Sequence, residues 1–86
     1  MGCIFKNPAG TGPDGKKWPA AGWLVDQAGM KGRRIGGAMI SNKHANFMIN
    51  VEQASASDVL NLAEEAKEKV RRKFNIQLEL EVRLVP

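Results

Sequence analysis

The strongest pattern in the chain is a stripe of apolar residues. Val59, Leu62, Ala63, Ala66, Val70 and Phe74 recur every three to four positions, the spacing of one helix face. Ser55 or Ser57 can cap its start, with Asp58 in the first turn. Glu65–Lys69 and Glu68–Arg72 stand four apart, a favourable spacing for opposite charges. Arg71, Arg72 and Lys73 fill the last turn, where the helix dipole favours cations, and Asn75 is a left-handed stop. The period then changes from 3.6 to 2. Ile76, Leu78, Leu80, Val82 and Leu84 alternate with Gln77, Glu79, Glu81 and Arg83, which predicts a strand buried on one face.

The upstream elements are shorter. Residues 2–7 read as a short strand or extended segment. Residues 8–19 read as a flexible surface loop, punctuated by Pro8, Gly10, Gly12, Pro13, Gly15 and Pro19. Pro19 suits a first helical turn, and Ala20, Ala21, Trp23, Leu24, Gln27 and Ala28 follow at helical spacing until Gly29 and Gly32. Arg34 to Gly37 reads as a glycine-rich entry to a strand near 38–41. A turn at Asn42–Lys43, loosened by His44 and Ala45, leads to a second strand over 46–51, and the two predict a hairpin. The order strand–helix–strand–strand–helix–strand gives an α+β fold, a small sheet with two main helices packed on one side.

Composition bounds this picture. At 86 residues, with 43% hydrophobic and 26% charged, the chain reads as one small globular domain over 1–86. Cys3 is the single cysteine, so no intramolecular disulfide forms, and a lone thiol fits a reducing cytoplasm. The longest apolar run, 20–25, is far short of the roughly 18 residues of a membrane span. The opening Met-Gly-Cys lacks the Ser or Thr that myristoylation requires, Lys6 standing there instead, so neither an anchor nor a signal peptide is expected. The net charge of +4 favours an anionic partner. That partner is nucleic acid or a phosphorylated small molecule, and composition does not choose between them.

Two motifs fail on physical grounds. Gly10-Thr-Gly-Pro-Asp-Gly15 spells G-x-G-x-x-G, but Pro13 removes one N–H and no helix opens before Pro19. Gly10 through Lys16 nearly spells a P-loop, but Lys17 stands where a Ser or Thr would hold magnesium. Cys3 and His44 alone cannot make a zinc site. The Lys16–Lys17, Arg33–Arg34 and Arg71–Lys73 clusters could touch phosphates, although the last reads first as a solvated helix end. A small basic nucleic-acid-binding module is therefore the alternative to a small-molecule site.

Four blocks change the balance. They are Gly2-Cys-Ile-Phe-Lys-Asn-Pro8, then Ala20-Ala-Gly-Trp-Leu-Val-Asp-Gln-Ala-Gly-Met-Lys-Gly32 running into Ile35-Gly-Gly-Ala38, then Ser41-Asn-Lys-His-Ala-Asn-Phe47, and Leu78-Glu-Leu-Glu-Val-Arg-Leu84. In this order they resemble the C-terminal domain of UDP-N-acetylenolpyruvoylglucosamine reductase, or UDP-N-acetylmuramate dehydrogenase. The likeness spans nearly the whole chain except residues 9–19. It implies a substrate-binding domain of a larger flavoenzyme of peptidoglycan synthesis. In that family NADPH reduces FAD, the flavin passes hydride to the enolpyruvyl double bond of a UDP-sugar, and the enol-like product is protonated.

The resemblance also assigns residues. Cys3 stands where the family usually has a serine proton donor, and a thiol gives up its proton more readily than a hydroxyl. Glu81 matches the acid that stabilises the enol intermediate. To help a developing negative charge it must be protonated or hydrogen-bonded. Asn7 and Lys31 match contacts to the substrate's diphosphate and neighbouring groups, and His44 matches a polar substrate contact. Leu80 replaces a proline common in the family. The FAD-binding domains are not contained in 86 residues, so this segment alone is expected to bind no FAD or NADPH and to turn over nothing. Its expected partners are the UDP-sugar and the FAD-binding domains, with no nucleic acid and no membrane.

Overall fold

The computed structural model describes residues 3–81. Its elements are α1 (Ala21–Gln27), β1 (Arg34–Ile35), β2 (Ala38–Ile40), β3 (Met48–Asn50) and α2 (Ala56–Phe74). The strands form one antiparallel sheet in the order β1-β2-β3. The α+β class holds. Helix α2 packs on α1, β1 and β2.

Helix α2 forms as its stripe predicts. Val59, Leu62, Ala63, Ala66 and Val70 are buried. At its start the Ser55 hydroxyl accepts the Asp58 N–H (3.0 Å) and the Asp58 carboxylate accepts the Ser55 N–H (3.1 Å). This reciprocal pair satisfies two N–H groups at the helix start. Asn75 ends the helix at φ 56, and its N–H bonds the Arg71 carbonyl. The Glu68–Arg72 pair is present at 3.1 Å, and Arg71 adds a fork onto the same carboxylate at 2.6 and 2.9 Å. Two of the three cations at this helix end are thus paired within the helix. Glu65 takes a more distant partner than Lys69: Arg33, before β1, holds it in a fork at 2.7 and 3.1 Å.

The hairpin of β2 and β3 pairs Ala38 with Asn50 and Ile40 with Met48. Before it lies a further strand, where the sequence pattern alone predicts a glycine-rich entry. Arg34 and Ile35 form β1, paired Ile35 to Ala38, with Gly36-Gly37 as a two-residue turn. Gly36 has φ +55, a conformation suited to such hairpin turns. The Asp58 carboxylate reaches this turn and accepts the Gly37 N–H at 3.1 Å. One carboxylate therefore fixes both the start of α2 and the hairpin turn.

The two outer strands are reduced among the described residues to single bridges, Cys3 with Phe47 and Phe5 with Leu80. Burial along 76–81 still alternates, with Ile76 and Leu78 buried and Gln77, Glu79 and Glu81 exposed. Val82, Arg83 and Leu84 lie outside the described residues. The segment from Cys3 onward does not alternate: Ile4 and Phe5 are both buried. The chain bends at Ile4 and changes partner there. Its N–H donates to the Asn46 carbonyl (2.8 Å), while its C=O accepts from Glu81 N–H on the other side (2.8 Å).

Trp23 departs from its expected place. It is 48% exposed and lies 5.7 Å from the Phe74 ring, at the seam of the two helices. Ala21, Leu24 and Val25 form the buried face of α1 instead. The loop at 8–19 is also more ordered than a flexible segment. Thr11 bridges Lys17, the Gly12 N–H bonds Lys16 O at 2.7 Å, and the Gly15 N–H bonds Gly12 O at 3.0 Å. Those glycine N–H groups serve a miniature hairpin, which is why the phosphate-loop likeness has no physical content.

Acid should loosen this framework. N–H donation from Ser55 and then Gly37 holds Asp58 below the usual carboxylate range. The Arg33 guanidinium does the same for Glu65, and Arg71 brings Glu68 down to about 2. A depressed carboxylate stabilises the fold above its unfolded pKa, and the contribution is lost as pH falls through the folded value. The urea midpoint should therefore be steady above the ordinary carboxylate range and should fall as pH drops below it toward 2. Asp58→Asn should flatten part of that slope.

Candidate functional site

The site grows from three short segments that the fold draws together. The first is the segment after Cys3. It is held between the hairpin loop on one side and residues 79–81 on the other, where the Lys6 N–H donates to Glu79 O at 2.9 Å. Cys3 itself is exposed and stands opposite Phe47. The second is α1 with the turn that follows it. Ala20 gives α1 no side-chain cap. Asn7 supplies one from a distance, its Oδ1 accepting the Ala21 N–H at 3.0 Å. With that oxygen committed, the donor Asn7 can offer is its NH2 group. The third is the loop 41–47. The Ser41 hydroxyl accepts the N–H groups of Lys43 (3.1 Å) and His44 (3.2 Å), and the Phe47 N–H closes onto the His44 carbonyl (2.9 Å). A loop expected to be loose is thereby fixed by a serine turn. His44 rests edge-on against the Phe47 ring at 5.4 Å.

Between these segments lies a cavity of about 380 Å³. Cys3, Asn7, Lys31 and His44, the residues singled out by resemblance, all line it. So do Asp26, Lys43, Asn46 and Phe47, which the sequence reading gave no role. The Lys31 ammonium lies 3.5 Å from the Asp26 carboxylate. The lining thus carries two lysines and one carboxylate, a balance that suits an anion. A half-exposed ion pair such as Lys31–Asp26 contributes little stability, so its consequence is placement of the ammonium.

Glu81 is not among the lining residues. It is exposed, and its N–H bonds the Ile4 carbonyl, which sets it one strand away from the Cys3 segment. Among the described residues no cluster of three or more His, Cys, Asp or Glu could hold a metal ion. None of their helices is long and apolar enough to cross a membrane.

Comparison with known proteins supplies the context. A family model described as UDP-N-acetylenolpyruvoylglucosamine reductase, C-terminal domain, matches residues 1–85. The chain is 53% identical over 85 residues to the UDP-N-acetylenolpyruvoylglucosamine reductase of Chloroherpeton thalassium, covering 99% of this chain and 27% of that protein. It is 49% identical over 86 residues to the same-named protein of Chlamydia muridarum, covering 100% of this chain and 26% of that one. Its fold is similar to the crystal structure of UDP-N-acetylenolpyruvylglucosamine reductase from Thermus caldophilus, with a TM-score of 0.69 and 44% identity over 99% of this chain and 27% of that one. The chain spans about a quarter of the length of these relatives.

Proposed function

Because the chain belongs to the family of UDP-N-acetylenolpyruvoylglucosamine reductase C-terminal domains, we propose that it binds the UDP-sugar and delivers the proton that completes its reduction. The observation that carries this reading is the shared cavity. It gathers Cys3, Asn7, Lys31 and His44 from segments far apart in sequence. Lys31 and Lys43 supply cations for a diphosphate. Asn7 and His44 offer hydrogen bonds to the groups beside it. Cys3 brings an exposed thiol to the same space.

The chemistry assigned to these residues begins after hydride delivery. Hydride adds to one carbon of the enolpyruvyl double bond, and the displaced electron pair moves toward the neighbouring carbon and its carboxylate. The Cys3 Sγ–H gives its proton to that carbon. The S–H electrons remain on sulfur, and the thiolate is reprotonated from water. A general acid needs to reach its target before its acidity matters, so the placement of Cys3 beside the anion-binding residues is the relevant feature. Glu81, one strand over, is the acid that stabilises the intermediate in this reading.

The residues of this chain do not fit FAD as a resident group. The stretch nearest a dinucleotide fingerprint spends its Gly12 and Gly15 N–H groups on its own hairpin. FAD and NADPH accordingly belong to the remaining length of the reductase, which acts in the cytoplasm in peptidoglycan synthesis, and this segment by itself turns over nothing.

Calorimetric titration of UDP-N-acetylenolpyruvoylglucosamine into the chain tests the binding half of the proposal. Lys31→Ala should weaken affinity about tenfold, a charge-assisted hydrogen bond discounted for partial exposure. Unchanged affinity would remove Lys31 from the site.

A further inference from the structure

The bend at Ile4 leaves a problem one residue later. Phe5 is 1% exposed, so its backbone N–H and C=O cannot rely on water. They are not served by the neighbouring strand segment, whose bonds go to Ile4 and Lys6. Both are met by one side chain, 41 residues away. Asn46 Oδ1 accepts the Phe5 N–H at 2.9 Å, and Asn46 Nδ2 donates to the Phe5 C=O at 2.9 Å. The Asn46 carbonyl accepts the Ile4 N–H at 2.8 Å as well. The carboxamide thus stands in for a missing strand residue.

We infer that Asn46 is a positioning residue for Cys3. Its three hydrogen bonds fix the register of the Cys3 segment against the loop that carries His44. That register sets Cys3 directly opposite Phe47 at the cavity wall. Directly opposed residues of an antiparallel pair have Cβ atoms about 4.5–5.5 Å apart, so the thiol is held beside the Phe47 ring. A slip by one residue would turn the Cys3 side chain to the opposite face, away from Lys31 and His44. The fork needs an acceptor and a donor at the same side-chain end, which Asn has and Asp, when ionised, lacks. The inference rests on the reading of Cys3 as the donor for its functional meaning, but not for its geometry.

The test uses the 86-residue chain with Asn46→Asp and Asn46→Ala. Two signals report the thiol: the nuclear Overhauser contact between the Cys3 β-protons and the Phe47 ring, and the rate of Cys3 alkylation by iodoacetamide. Slow amide exchange across α2 shows that the rest of the fold persists. Asn46→Asp keeps one of the two side-chain hydrogen bonds and should weaken the Cys3–Phe47 contact. Asn46→Ala should abolish it and change the alkylation rate about fivefold, the factor that a lost hydrogen bond represents. A merely structural role would lower the melting temperature and leave both signals unchanged in the folded variant, which would overturn the inference. If neither variant folds, the unsubstituted chain decides. A scalar coupling between the Phe5 amide nitrogen and the Asn46 carboxamide carbon must be present, and its absence overturns the inference too. Loss of the contact, combined with a reductase whose turnover ignores Cys3→Ala, would keep the positioning and sink the donor reading instead.

Discussion

Cys3→Ala should lower turnover by about 10²- to 10⁴-fold in a reductase that carries this chain, the contribution expected of a positioned general acid. The natural host is the Chloroherpeton thalassium relative, with this chain replacing its own matching stretch, which is 53% identical. Reduction of the flavin by NADPH should continue in the variant, because the proton is needed only after hydride has left. Cys3→Ser should keep appreciable activity, since a hydroxyl in the same place can also donate. The fold should hardly notice either change. Cys3 is exposed, and substitutions of exposed side chains typically stay within about 0.5 kcal/mol. Stopped-flow absorbance separates the two half-reactions. Equal turnover in Cys3→Ala and the parent would remove Cys3 from the chemistry.

Gly37→Ala should unfold the chain. A Cβ at Gly37 would run into the Glu52 carbonyl oxygen and lie 2.6 Å from the Ala54 nitrogen. Both are backbone atoms, so no rotamer change relieves the clash. The same residue accepts the Val51 N–H (2.8 Å) and donates to Asp58 (3.1 Å), and both bonds would be strained as the chain moved aside. A cost on the order of 4 kcal/mol or more is expected, in the range reserved for severe steric conflict. That is comparable to the whole stability of a small domain. Urea titration followed by circular dichroism should find no cooperative native baseline in Gly37→Ala. Retention of the parental midpoint would contradict the close packing of the β1–β2 turn on the segment after β3. Gly36→Ala is a useful companion, because there the obstacle is the Asp58 carboxylate, a side chain that can rotate away at the expense of its cap.

The sequence was most legible where one element carries its own signals. For α2 the apolar stripe, the Ser55–Asp58 start, the cations of the last turn and the Asn75 stop all agree, and all are present. The β2–β3 hairpin was legible from its flanking turn. What escaped depends on distant partners. β1 is two residues long, too short for any period, and it exists because Asp58 on α2 secures its turn. Trp23 has helical spacing, but α1 offers its buried face one position over, and the indole lies against Phe74 instead. Ile4 and Phe5 break the period of 2 because the segment changes partner between them, an event governed by Asn46 and Glu81. The candidate site follows the same rule. Cys3, Asn7, Lys31 and His44 entered through family resemblance, not through periodicity or spacing. Asp26, Lys43 and Asn46 had no local mark and become noticeable only once the loop 41–47 is folded against α1.

The proposed function stands or falls with binding of the UDP-sugar in the cavity beside Cys3. Amide chemical shifts of the labelled chain, followed as UDP-N-acetylenolpyruvoylglucosamine is added, test it most directly. Saturable shifts concentrated at Cys3, Asn7, Lys31 and His44 are expected, with the far end of α2 near Arg71 to Lys73 unmoved. Shifts confined to that basic helix end, or no saturable response at the cavity, would contradict it.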